Sequence, residues 1–287
     1  MIRTASEQLG VPVNARILIA LSCTLVAASV ARAQPVVLRI GPPVGETLRM
    51  RLDQRVEMSG TARMAAGDST ATVVTTLLVI TRAFVERRDR DATILLTSAD
   101  SVVASSNGAD SLTVANETRH ALQGKRVRLR VAPDGATEIV GKDIDGALEL
   151  NALFSQMPAM LPNTPVAVGQ SWQRVMVAPI DPALAPKGAG GKLQATFRLD
   201  SLSRTGDWGY VSLVGTLSRP PSEKNGWATL TMSGSITGGL VIDRRRGWIN
   251  DARMTYTVRS VVTPTTGSTA AAMRFRMRVT QWVRVVQ

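Results

Sequence analysis

ATLTMSGSITGGLVI, Ala228 to Ile242, alternates between two sets of side chains. Ala228, Leu230, Met232, Ile236, Leu240 and Ile242 fall on one set, and Thr229, Thr231, Ser233, Ser235 and Thr237 on the other. A period of two puts successive side chains on opposite faces of a pleated strand, one face against a core and one in water. A helix would scatter both sets around its axis. Gly234 and Gly238 occupy the inward set, where a missing side chain permits a sharp bend or the close approach of a neighbouring backbone. A long strand interrupted twice in this way fits a strongly curved sheet. Its concave face is apolar and must be covered by another sheet, a helix or a ligand.

The same rule recurs along the chain. Leu48, Met50, Leu52, Val56 and Met58 alternate with Arg49, Arg51, Asp53, Arg55 and Glu57. Val127, Leu129 and Val131 alternate with Arg126, Arg128 and Arg130, and Phe275, Met277 and Val279 with Arg274, Arg276 and Arg278. Leu193, Ala195, Phe197 and Leu199 follow suit, and the Val-, Ile- and Thr-rich runs 72–86 and 92–104 read as two strands joined through Arg87 to Asp91. Turn signals at Pro133-Asp134-Gly135, Thr205 to Gly209, Asn225-Gly226 and Arg244 to Gly247 separate these runs as hairpins of a meander. The fold class is therefore mainly β: a strongly curved antiparallel sheet or sheets, half-barrel or sandwich-like, of about 10 to 12 strands. Residues 105–123 read either as a loop with a helical turn or as one further strand.

One central apolar helix is predicted near 144–160. Asp143 or Asp145 caps it, and Ala147, Leu150, Phe154, Met157 and Leu161 fall at spacings of three and four. Pro158 bends or ends it, because proline lacks the amide hydrogen and crowds the preceding turn. Pro162 and Pro165 favour an extended exit, Gly169 a tight turn, and Trp172 opens a strand in which its side chain is expected to be largely buried. Residues 34–287 are thus either a single all-β domain or two β halves, about 45–142 and 168–287, joined by the helix and a linker over 161–170. A faint echo between Val127–Val140 and Gly238–Asp251, each a strand, turn and strand, is compatible with duplication.

The N-terminus predicts export. Arg3 and Arg16 precede the apolar run Ile17 to Val30, which meets Ala31-Arg32-Ala33. A basic region, a short apolar region and an A-x-A site make a secretory signal peptide over 1–33, cleaved after Ala33. The run is shorter than the roughly 20 residues that span a bilayer, so no stable transmembrane segment is expected after cleavage. Ala20-Leu21-Ser22-Cys23 loosely resembles a lipoprotein box, but the apolar segment continues past Cys23. Removal of the leader takes away the single cysteine, and with it disulfides, thiolate ligands and thiol nucleophiles.

The charge of +12 and aromatic content of 4% describe a basic chain poor in stacking side chains. Nucleic acid is therefore not the expected partner; a lipid or an anionic envelope component is.

Chemistry is sparsely represented. The single histidine, His120, lies in a polar stretch and reads as a surface residue. Gly67-Asp68-Ser69-Thr70 resembles the start of an esterase block but lacks its continuation, and no G-x-S-x-G or S-x-x-K occurs. Asp143-x-Asp145-Gly146 falls short of a calcium loop, and one histidine without a mature cysteine makes zinc unsuitable. No catalytic residue, metal site or cofactor is assigned. The five tryptophans mostly open strands or border turns, where an amphipathic ring closes the end of a β core.

Pro162, Pro165, Val166, Gly169, Ser171 and Trp172 form a P-x-x-P-V-x-x-G-x-S-W motif, followed by Gly234, Gly238, Asp243 and Gly247. In these residues the chain resembles an uncharacterised family of exported bacterial proteins, a domain of unknown function. The resemblance implies structural roles for Pro162, Pro165, Gly169, Trp172, Gly234 and Gly238, and no activity. In architecture it is similar to the periplasmic lipoprotein-carrier half-barrel.

Three readings follow. In the first, an exported, periplasmic or secreted, non-enzymatic envelope protein binds a lipid or other apolar ligand in a curved-sheet cavity faced by Leu150, Phe154, Met157, Leu230, Met232 and Ile236. In the second, it is a structural or interaction module of the envelope with no ligand. In the third, it is an unrecognised hydrolase.

Overall fold

The computed structural model describes residues 34–64, 67–108, 111–141, 159–177, 192–219, 228–264 and 272–286. Their alternating pattern is resolved as eleven antiparallel strands: β1 (Thr47–Met64), β2 (Gly67–Asp89), β3 (Ala92–Ser106), β4 (Arg126–Val131), β5 (Thr137–Ile139), β6 (Ser171–Val177), β7 (Lys192–Leu202), β8 (Trp208–Arg219), β9 (Ala228–Asp243), β10 (Trp248–Pro264) and β11 (Met273–Val285). They form one sheet in the order β5-β4-β3-β2-β1-β11-β10-β9-β8-β7-β6. Every pair except β1–β11 joins neighbours in sequence, so the sheet is two meanders zipped together where the first strand meets the last. Residues 45–142 and 168–287 thus contribute to the same sheet.

The ambiguous segment 105–123 is helical over α1 (Ser111–Leu122), which packs beside β3 and buries Leu122. Most of the helix expected over 144–160, with Leu150, Phe154 and Met157, lies outside the described residues. Ala159 and Met160, at its far end, are not helical.

The sheet curls until its two edges nearly meet without closing into a barrel. Arg174 of β6, at one edge, has Nη2 3.9 Å from Asp134 Oδ2 in the β4–β5 turn at the other. Residues 159–166 fill the seam between them. The amides of Met160 and Leu161 both donate to the Asp134 carbonyl at 2.9 Å, and the Trp172 indole donates to the Met160 carbonyl at 2.8 Å. Val36 bridges Val166 through reciprocal backbone bonds, and Ile40 N donates to Pro133 O at 2.7 Å. The two segments form a strap across one end of the sheet. That end also holds the β2–β3, β4–β5, β7–β8 and β9–β10 turns.

The strap carries Leu38, Ile40, Met160, Leu161 and Val166 into the core, all 6% exposed or less. Curling supplies the remaining cover by setting concave faces against one another. Around this strapped end, Phe197, Leu199, Leu213, Ile236, Leu240 and Ile242 are completely enclosed. Among the described residues no second sheet covers them.

Three inward glycines make such curling geometrically feasible. A Cβ on Gly234 would lie 2.3 Å from the Thr257 carbonyl oxygen, and one on Gly238 would lie 2.2 Å from that of Arg253. On Gly215 it would lie 2.6 Å from the Gln194 oxygen. The register sets each beside a large residue: Gly238 opposite Leu213, Gly215 opposite Ile236 and Gly234 opposite Leu217. Large and small side chains thus alternate across β8 and β9, and the backbones come too close for any side chain but hydrogen.

Candidate functional site

Concave-face residues differ along the strands. Near the strap Leu48, Val79, Leu240 and Val283 are buried, with Met50, Leu52 and Val285 partly so. Farther up, Val56 and Met58 of β1, Val73 of β2, Val258 of β10, and Phe275, Met277 and Val279 of β11 are only half-buried. These positions are in register: Met58 stands opposite Met277, and Val258 opposite Met277 on its other side. The Phe275 ring lies over Gly60, where an added Cβ would be 3.2 Å from it. The result is an apolar wall crossing β2, β1, β11 and β10.

A polar belt interrupts that wall. Gln54 and Gln281 face each other directly across β1 and β11, with Met254 opposite Gln281 on β10. Tyr256 lies next along β10, opposite Val279 and Ile236. Its hydroxyl donates to Met254 Sδ at 3.4 Å, and burial pushes its pKa up to about 12. The phenol is therefore a neutral hydrogen-bond donor throughout the physiological range. Aliphatic and methionine walls with a few uncharged donors suit an apolar chain bearing one hydrogen-bonding group.

Among the candidate ligand residues read from the sequence, Met232 and Ile236 are buried on the concave face. Leu230 is in β9 with its backbone opposite Val262. Pro162 and Pro165 belong to the strap, and Gly169 takes φ 85° where its amide donates to the Leu199 carbonyl. The glutamine pair and Tyr256 were not among those candidates, although the phase of alternation carries Gln54 in the series of Leu52 and Val56.

A separate cleft of about 480 Å³ opens at the strapped end, lined by Pro43, Glu46, Asp207, Trp208, Asp243, Arg245 and Arg246. Two of its carboxylates have structural duties. Glu46 pairs with Arg246 Nε at 2.6 Å, and Asp243 Oδ1 accepts the amides of Arg245 and Arg246 at 3.0 and 2.9 Å. Among the described residues, no group of three or more His, Cys, Asp or Glu side chains is placed to hold a metal. His120 is exposed in the last turn of α1. Gly67 to Thr70 begin β2 and pair with β1, rather than forming the sharp turn that would present a serine nucleophile. Among the described residues no helix is long and apolar enough to cross a membrane, which says nothing of strands.

No protein-family model matches the chain, and no curated protein is similar to it. Among the solved structures that resemble it weakly are the following two. A structure of lipid–protein interactions in lipovitellin is 11% identical with a TM-score of 0.47, over 86% of this chain and 26% of that one. This chain therefore spans about a quarter of the lipovitellin chain's length. An outer membrane channel from Pseudomonas putida F1 is 9% identical with a TM-score of 0.23, over 86% of this chain and 97% of that one. Likenesses of this degree carry no argument about function. The sheet and its concave wall must supply it.

Proposed function

We propose that the protein is a non-enzymatic component of the bacterial envelope, exported by the leader over 1–33, that holds a lipid or other apolar ligand on its concave wall. The supporting observation is the incomplete burial of Met58, Val258, Phe275 and Met277 on the face that elsewhere forms the core. Residual apolar surface in a concavity is a site for hydrocarbon, since covering it releases water at about 25 cal/mol per Å². The amides of Gln54 and Gln281 and the Tyr256 hydroxyl would meet the ligand's polar end.

The test is uptake of a fluorescent fatty acid by delipidated, refolded protein. Saturable binding is expected, with displacement by unlabelled fatty acid, and Val258→Trp should weaken it by filling the wall. No uptake by a folded sample would remove the reading. A structural envelope module without ligand draws support from the dry packing of Phe197, Leu213, Ile236 and Leu240 at the strapped end. Under that reading, native mass spectrometry of protein taken from the periplasm shows the bare chain, whereas a ligand carrier retains added mass.

A further inference from the structure

Arg274, Arg276 and Arg278 occupy alternate positions of β11 on the convex face, about 7 Å apart along the strand, and all three side chains are exposed. Exposed Arg259 of β10 stands directly opposite Arg276. Like charges so paired, with Cβ atoms about 5 Å apart, repel and weaken the strand pair. The neighbouring positions offer one carboxylate, Glu57, whose pKa is lowered first by its hydrogen bond to Arg55 and then by the charges of Arg55, Arg278 and Arg276. Ser59 and Thr61 of β1 lie opposite Arg276 and Arg274, Thr257 lies opposite Arg278, and Ser233 lies opposite Arg259. Glu57, opposite Arg278, is engaged by Arg55 Nε at 2.8 Å. Among the described residues none of the four arginines makes an ion pair.

Several arginines elsewhere on the sheet are engaged. Arg128 grips Glu86 through two hydrogen bonds, Arg246 pairs with Glu46, and Arg253 and Arg284 both lie over the Trp282 ring. The quartet, with no ion pair among the described residues, lies in the half of β10–β11 remote from the strap. On the concave side of the same strand stretch lie half-buried Val258, Phe275 and Met277. This half of the sheet is cationic outside and apolar inside.

From this juxtaposition we propose that Arg259, Arg274, Arg276 and Arg278 dock the convex face of β10–β11 on the headgroup phosphates of an anionic phospholipid bilayer. Planar guanidinium groups match phosphate oxygens in pairs, and the short Ser and Thr neighbours leave those groups free to reach them. A nucleic-acid backbone would meet the same charges. The quartet lacks the exposed aromatic faces on which bases stack, since Phe275 is turned to the concave side and Trp282 is held between two arginines. The docking needs no ligand on the concave wall, so it stands or falls separately from the proposed function.

Co-sedimentation of the full chain with vesicles tests it. Binding is expected to phosphatidylcholine vesicles that contain phosphatidylglycerol, to weaken as salt rises, and to be absent with phosphatidylcholine alone. Each cation at an anionic surface contributes about fivefold, so R274Q/R276Q/R278Q should lose about a hundredfold in affinity. An R87Q/R204Q/R245Q variant, with the same change of charge at the strapped end, should bind like the parent. Circular dichroism would verify that both are folded. Equal binding to neutral vesicles, equal losses in the two variants, or tighter binding to duplex DNA than to anionic vesicles at the same salt would each overturn the proposal.

Discussion

Tyr256 shows how one residue's placement becomes a measurable property. Its alternation with Thr255 and Thr257 assigns it to a face, but only the pairing with Val279 and Ile236 encloses the phenol. Burial disfavours the phenolate, raising the folded-state pKa from 10.0 to about 12. The folded state therefore holds this proton more firmly than the unfolded chain does. Its contribution to stability is complete below pH 10 and is lost as pH rises through about 12, amounting to about 2 to 3 kcal/mol. Urea melts below and above that window should show the loss, and Tyr256→Phe should lack this component. Trp172 carries a different lesson. It opens a strand as its sequence context predicts, yet it is only partly buried, because β6 is an edge strand and one side of the indole has no neighbouring strand. Its ring stacks on Phe197 with centroids 5.7 Å apart, and its nitrogen bonds the strap.

At the scale of the element, β9 was legible almost entirely from its sequence: strand, two faces, and glycines at the inward positions. What those glycines accommodate was not legible, because it depends on the carbonyls of Thr257 and Arg253 in the partner strand. Gly238→Ala should cost about 3 kcal/mol, since its methyl would collide with backbone that moves only with the whole strand. Thermal melting would measure this, and an unchanged midpoint would show that β9 relaxes freely. The echo between Val127–Val140 and Gly238–Asp251 resolves into two hairpins at the strapped end, whose turns use Gly135 and Gly247 at φ 91° and 65°. In α1, Leu112 and Val114 are exposed and Leu122 is buried, so its sequence carries little of the apolar stripe that marks a helix.

For the whole molecule, the strap decides whether eleven strands hold together as a curled sheet. Its segment 159–166 bonds to both edges, and Leu161 within it is fully buried. Leu161→Ala should cost about 3 kcal/mol. Hydrogen exchange should then accelerate first in β4, β5 and β6, whereas a loss in the middle of the sheet, such as Val283→Ala in β11, should leave those edges protected. Protection lost uniformly would show that the strap does not govern the seam. Pro162, Pro165, Gly169 and Trp172, expected as an extended exit, a tight turn and the start of a strand, lie in and beside the segment that fastens two edges of one sheet. The sequence alone determined the strands, their two faces and most of their turns, because alternation and turn chemistry are local properties written in residue order. Tertiary structure decided that β1 pairs with β11, that the sheet curls until Asp134 approaches Arg174, and that Arg259 stands opposite Arg276 beside Arg274 and Arg278 on its back. Those facts arise from register between distant strands, which residue order constrains only through the packing it permits.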